Sequence, residues 1–244
     1  MGTIKWHIGC SGFHYRDWKG IFYPDDIPQR KWFEYYSSQF DTLELNVTFY
    51  RFPQLKFLQN WYAISPGNFS FSVKAPRLIT HYKQFGDCER LLDDFYNTVE
   101  EGLKGKLGAV LFQLPPKFNY TPERLDLILA SIRRGFRNTI EFRHSSWWND
   151  EVYNRLKKEK VFFCGVSHPT LPDNVVVTGK TAYYRFHGVP KIYYSCYKDN
   201  VLKKIADSLA EDKKVKEAYV YFNNTATIGA IENAVWLKKY TQGI

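Results

Sequence analysis

Ala182-Tyr183-Tyr184-Arg185-Phe186-His187 is a short run with two chemically different sides. Successive side chains of a β-strand point to opposite faces. Tyr184 and Phe186 therefore share one face, and Arg185 and His187 share the other. A strand of a closed parallel barrel reads this way. Its outer set packs under helices and is apolar, whereas its inner set fills the interior and ends, at the last positions, in a mouth open to solvent.

The same parity recurs along the chain. Leu43 and Leu45 face out, so Glu44 and Asn46 face in. Phe71 and Val73 place Ser70, Ser72 and Lys74 inside; Val110 and Phe112 place Gln113 there. Ile140 and Phe142 turn Glu141 and Arg143 inward, and Val220 and Phe222 do so for Asn223. Six strands thus present a polar residue at the inward C-terminal end, where barrel active sites occur. A buried polar network that satisfies only itself would give the same pattern.

Eight runs read as strands: Lys5–Cys10, Thr42–Asn46, Phe69–Lys74, Leu107–Gln113, Thr139–Arg143, Val161–Gly165, Ala182–His187 and Ala218–Asn223. Segments of helical periodicity lie between them. Thr121-Pro122-Glu123 supplies an N-cap, a proline at the first helical position and an early acid. Asn149 caps a helix carrying Val152 and Leu156. Asp87 is expected to cap one carrying Leu91, Leu92, Phe95 and Val99. The last helix carries Ile228, Ile231, Val235 and Leu237. Strand and helix alternating eight times in 244 residues, near the ~250 typical of the architecture, predict an α/β fold. It is a (β/α)8 barrel forming a single domain over 1–244.

Hydrophobic residues make up 44% and charged residues 24%, the balance of a packed domain. The four cysteines, Cys10, Cys88, Cys164 and Cys196, form no CxxC pair. Together with the lack of a signal-like pattern at Met1–Gly9, this predicts reduced thiols and a cytoplasmic location. No window has the ~18 apolar residues of a membrane span.

A net charge of +9 raises the possibility of a nucleic-acid partner. Four clusters carry much of it: Lys104/Lys106, Arg133/Arg134/Arg137, Lys157/Lys158/Lys160 and Lys213/Lys214/Lys216. Each falls at a helix end just before a strand, where cations complement the helix dipole, on the side away from the mouth.

Several segments resemble the YecE-like barrels, domain-of-unknown-function family 72. They are Ile8-Gly9-Cys10-Ser11-Gly12-Phe13, Trp18-Lys19-Gly20-Ile21-Phe22-Tyr23-Pro24, Leu43-Glu44-Leu45-Asn46-Val47-Thr48-Phe49-Tyr50 and Phe71-Ser72-Val73-Lys74. Leu111-Phe112-Gln113-Leu114-Pro115-Pro116, Glu141-Phe142-Arg143-His144, Tyr184-Arg185-Phe186-His187-Gly188 and Tyr221-Phe222-Asn223-Asn224 continue the match nearly end to end. The resemblance implies a barrel and no particular activity. Cys10 departs from the threonine more usual there.

Glu44, Glu141 and His187 are the candidate proton-transfer groups, because two carboxylates and an imidazole in one cleft can divide acid and base work. Asn46, Tyr50, Lys74, Gln113, Arg143, His144, Arg185, Asn223 and Asn224 are the candidate substrate-binding residues. Lys74, Arg143 and Arg185 outnumber the two acids, which suits a small anionic, phosphorylated or nucleotide-like substrate. Asn223 and Asn224, with Arg185, are placed to hold a phosphate or carboxylate between the last strand and helix. Glu44–Lys74 and Glu141–Arg143 are equally readable as structural ion pairs. Phe13, His14, Tyr15, Trp18, Phe49, Tyr50, Trp147 and Trp148 stand in the mouth loops, to stack on a ligand or to close the barrel top.

No cofactor is implied: the glycines of Gly9-Cys10-Ser11-Gly12 match no dinucleotide motif. A metal held by Glu44, Glu141, His144 and His187 would meet repulsion from the nearby cations, so none is expected. Three functions fit: acid–base catalysis on a small anion, metal-dependent phosphodiester hydrolysis of nucleic acid, or ligand binding without turnover.

Overall fold

The computed structural model describes residues 4–244. Eight parallel strands form one sheet: β1 Lys5–Cys10, β2 Thr42–Leu45, β3 Ser70–Lys74, β4 Leu107–Gln113, β5 Asn138–Glu141, β6 Phe162–Ser167, β7 Thr181–Phe186 and β8 Glu217–Phe222. Apart from β1 and β2, neighbours in sequence are neighbours in the sheet, and β1 pairs with β8 along its whole length. The helices are α1 Trp32–Gln39, α2 Val47–Tyr50, α3 Leu55–Ile64, α4 Glu89–Leu103, α5 Pro122–Ser131, α6 Asp150–Glu159, α7 Asp199–Glu211 and α8 Gly229–Thr241.

The seam between β1 and β2 closes the barrel by an unusual route. One bridge joins Ser11 to Glu44, and the Gly12 N–H donates to the Glu44 carbonyl over 3.0 Å. Lower down, the Tyr36 hydroxyl of α1 stands in for the ladder. It accepts from the Cys10 N–H at 2.8 Å and donates to the Thr42 carbonyl at 3.1 Å. Gly9 makes room for this arrangement, since a Cβ there would lie 2.4 Å from the Thr42 carbonyl oxygen. Tyr36→Phe leaves one buried donor and one buried acceptor unmatched, a loss of about 2–3 kcal/mol. Chemical denaturation of this variant checks the role, and a loss below about 0.5 kcal/mol would contradict it.

The parity expected from the sequence holds. Leu43, Leu45, Phe71, Val73, Val110, Phe112, Ile140, Phe142, Tyr184, Phe186, Val220 and Phe222 join the large core between barrel and helices. A second core, including Leu111, Val166, Tyr183, Tyr219 and Tyr221, fills the interior. There the Tyr221 hydroxyl meets Thr42 Oγ1 at 2.6 Å and Ser72 Oγ at 2.9 Å, so the floor beneath the mouth is packed and hydrogen-bonded.

Local expectations hold at two helix starts. Thr121 accepts from the Arg124 N–H and Asn149 from the Val152 N–H. Four expectations are corrected. Asp87 does not cap α4: its φ is +44°, Cys88 takes the N-cap position, and the helix begins at Glu89. Val235 lies on the outer face of α8 and is exposed, whereas Ala234 and Leu237 are buried. Asn46 ends no strand, because its backbone is already helical and opens α2. Residues 168–180 form no helix between β6 and β7; Pro169 and Pro172 disfavour one. Val175, Val176 and Val177 cover the core in its place.

The basic clusters lie at the end opposite the mouth, and the arginine cluster and Lys106 are engaged. Arg133 pairs with Asp93, Arg134 with Glu159 and Arg137 with Glu217. Lys106 donates to the Tyr62 and Ser65 carbonyls. No helix among the described residues is long and apolar enough to cross a membrane.

Candidate functional site

The inward residues at the C-terminal strand ends meet in one cluster with Arg185 at its centre. Its guanidinium is fully buried. It reaches Glu44 Oε1 at 2.6 Å through Nη2 and Glu141 Oε2 at 2.5 Å through Nη1. The two carboxylates, from β2 and β5, are thus bridged by a shared cation. Glu44 also accepts from Ser11 Oγ and from the Tyr183 hydroxyl, each at 2.6 Å. Burial alone would depress the Arg185 charge, but Glu141 and Glu44 outweigh it and hold the guanidinium firmly protonated.

Glu141 is the second node. Arg143 Nε pairs with its Oε1, and His187 Nε2 lies 3.2 Å from the same oxygen. Burial would raise this carboxyl; Arg143, Arg185 and His187 together keep it well below the usual carboxylate range. His187 is pushed the other way, well below an ordinary histidine, first by burial and then by Arg143. Its Nδ1 lies 2.9 Å from Asn223 Nδ2. A neutral ring carrying its proton on Nε2 satisfies both contacts, accepting from Asn223 and donating to Glu141.

These surroundings favour the ionised form of Glu141 and the neutral ring of His187. Glu44 is enclosed by its donors Ser11, Tyr183 and Arg185.

Lys74 occupies a different position. The expected Glu44–Lys74 pair does not form. Lys74 Nζ donates to Gln113 Oε1 at 2.8 Å and lies 4.0 Å from the centre of the Phe49 ring. Its pKa falls to about 7, because burial and then the Arg185 charge disfavour the ammonium. His81, edge-on to Phe49, is lowered to about 4 by burial and by Lys74.

The remaining expected residues divide. Asn46 is half-buried at the start of α2, and its Oδ1 has no partner. Tyr50 is exposed. His144 bonds to Ser146 Oγ at 2.8 Å, within its own loop. Asn224 is corrected most clearly: its amide donates to the Ser195 carbonyl and to Asn233 Oδ1, each at 3.0 Å, tying the β7 loop to α8. Arg185, Asn223 and Asn224 therefore do not converge on one anion. Trp18 and Trp147 are fully buried and close the barrel top. Tyr183 and Ser11 joined the cluster unforeseen as partners of Glu44. Tyr183 shares the parity of Arg185, a signal that was present, but its ring reads as apolar filling. His168, whose ring lies 5.8 Å from that of His187, follows a strand longer than expected.

Two cavities flank the cluster. One of about 600 Å³, beside β2, is lined by Tyr15, Asn46, Tyr50, Phe52, Phe57 and Trp61 among others. The other, about 680 Å³, lies beside β6 and β7 against His168 and Tyr197. Among the described residues, no three or more His, Cys, Asp or Glu side chains gather as a metal site.

The model of a family described as "Protein of unknown function DUF72" matches residues 7–243. The chain belongs to the DUF72 family. This DUF72 chain is 26% identical to the UPF0759 protein YunF of Bacillus subtilis, over 93% of the chain and 91% of that protein. It is 27% identical to the UPF0759 protein YecE of Escherichia coli K12, over 47% of the chain and 42% of that protein. A crystal structure of a DUF72 family protein from Thermotoga maritima superposes with a TM-score of 0.89 at 28% identity, covering 98% of this chain and 99% of that one. One from Enterococcus faecalis gives 0.83 at 20% identity, covering 97% and 95%; at that identity the likeness concerns the fold alone.

Proposed function

We propose that this DUF72 chain is an enzyme for a small substrate bearing a carboxylate or phosphate, bound at the barrel mouth by Lys74, Arg143 and Asn223. The observation that carries the reading is the charge balance of the cluster. Glu44 and Glu141 are matched by Arg185 and Arg143, so Lys74 is a cation without a counter-charge. An incoming anion supplies one, and the ammonium becomes favourable only when the ligand is present. Asn46 and the aromatic cavity beside it offer room and a free acceptor for the rest of the substrate.

Glu141 and His187 then serve by position, holding Arg143 and Asn223 at the rim, while Glu44 anchors Arg185 beneath them, as a rigid supporting layer does in a preorganised site. The hydrolase reading is less favoured, because it asks for a metal between Glu44 and Glu141, and the Arg185 guanidinium occupies that position. The basic clusters lie at the far end of the barrel, away from the mouth, which does not favour a nucleic-acid track leading to it.

A thermal-shift series with inorganic phosphate, sulfate and short carboxylates tests the reading. A ligand at ~100 times its dissociation constant stabilises by about 2.7 kcal/mol, about 5–10 °C for a chain of this size. The expected result is a shift with one anion class that is lost in Arg143→Ala. No shift with any anion would overturn the proposal.

A further inference from the structure

We infer that Lys74 is the nucleophile of this site, and that its amine condenses with the carbonyl group of a small aldehyde or ketone carrying an anionic group. The inference deepens the reading of the mouth as an anion site and rests on it: Arg143 and Asn223 hold the anionic group, and Lys74 gains its charge beside that group only as the imine forms. Lys74 alone among the lysines of the described residues is buried. It projects from the C-terminal end of β3 into the mouth cluster. Its Nζ has Gln113 Oε1 at 2.8 Å and the face of Phe49 at 4.0 Å as neighbours. Among the described residues no carboxylate comes within ion-pair distance of it.

A lysine built only to bind an anion gains most by staying fully charged. This one is placed where charge is opposed. Arg185 and Arg143 belong to the same cluster, His81 approaches neutral, and Glu141 and Glu44 have their charges taken up by the two guanidiniums. Such surroundings favour the free amine near neutral pH, in line with the lowered value of about 7. Desolvation and neighbouring cations are the usual means of activating an amine.

The Nζ lone pair attacks the carbonyl carbon, and the carbonyl π pair moves to oxygen. That oxygen takes up one of the amine's protons to give a carbinolamine. Its hydroxyl then leaves as water with the second amine proton, and the carbon–nitrogen double bond forms. No oxidant or reductant is needed. The anionic group of the same molecule faces Arg143, and the carbonyl lies next to Lys74.

The test treats the purified protein at pH 7.5 with glyoxylate, glycolaldehyde phosphate or uncharged propanal, each with cyanoborohydride, followed by peptide mass mapping. Glyoxylate or glycolaldehyde phosphate is expected to label Lys74 roughly tenfold or more faster than any surface lysine, since those remain almost wholly protonated at that pH. Phosphate should slow the labelling, and Lys74→Arg should abolish it. Labelling confined to surface lysines, with Lys74 unmodified, overturns the inference. If phosphate still stabilises the protein in that case, the anion site survives without the imine chemistry. If propanal labels Lys74 as fast as glyoxylate and phosphate neither protects nor stabilises, Lys74 is a nucleophile but the anionic substrate class falls, and the inference as stated falls with it. Failure of Lys74→Arg to fold would not blur the result, because the labelling is read on the unaltered chain.

Discussion

Arg185→Met is expected to remove most of the stability of the native state. The guanidinium is fully buried between two fully buried carboxylates. Removing one partner of a buried ion pair typically costs about 3–5 kcal/mol, because the remaining charge is left uncompensated in a medium of low polarity. Here one substitution strips two carboxylates at once. Glu141 keeps Arg143 and His187, but Glu44 keeps only the hydroxyls of Ser11 and Tyr183. Against a total stability of about 5–15 kcal/mol, the loss leaves a marginal protein. Arg185→Lys rescues little, since one ammonium cannot repeat the forked contacts that reach both acids. Adding Glu44→Gln to Arg185→Met removes the stranded charge and should restore part of the loss. Urea denaturation of the single and double variants measures both effects. A single variant within about 1 kcal/mol of the parent, or a double variant that recovers nothing, would show that the network does not hold the barrel mouth together.

Lys74→Met is expected to do the opposite, raising stability while removing the proposed chemistry. An unfolded lysine titrates near 10.5 and the folded one near 7, so the unfolded chain binds more protons between those values. Stability therefore rises with pH across that window, and below pH 7 the full penalty is present. The difference caps the penalty at about 5 kcal/mol. Losing the bond to Gln113 and the contact with Phe49 offsets part of it, so a net gain of about 1–3 kcal/mol at pH 6 is expected. At pH 10 most of the gain should be gone. Melting curves of the parent and the variant at both values decide the matter. Equal differences at the two pH values would mean that the amine is not held near neutrality by the fold. A residue that destabilises its own fold is characteristic of functional sites, where stability is given up for chemistry.

The barrel and much of its mouth were legible in the sequence because period-two alternation is a local property. Leu43 and Leu45 out with Glu44 in, or Tyr184 and Phe186 out with Arg185 and His187 in, can be read from a few consecutive residues, and the interior and outer cores follow that division. Cap geometry at Thr121 and Asn149 was legible for the same reason: the side chain and the N–H it accepts from are three residues apart. Asp87 failed as a cap because its φ is positive in the turn before α4, which leaves the N-cap position to Cys88. Tyr36 was beyond reach, since its hydroxyl serves two backbone groups of other elements.

By itself, then, the sequence determined which side chains enter the barrel and at which end the ionisable ones gather, because both follow from alternation and strand direction. Only the tertiary structure decided what those groups do. Closing the ring brings residues 44, 141 and 185 to one point. There Arg185 takes both carboxylates, the flanking cations favour an ionised Glu141 and a neutral His187, and Lys74 is left with Gln113 and the Phe49 ring. Charge pairing depends on distance and burial, which bear no fixed relation to separation along the chain.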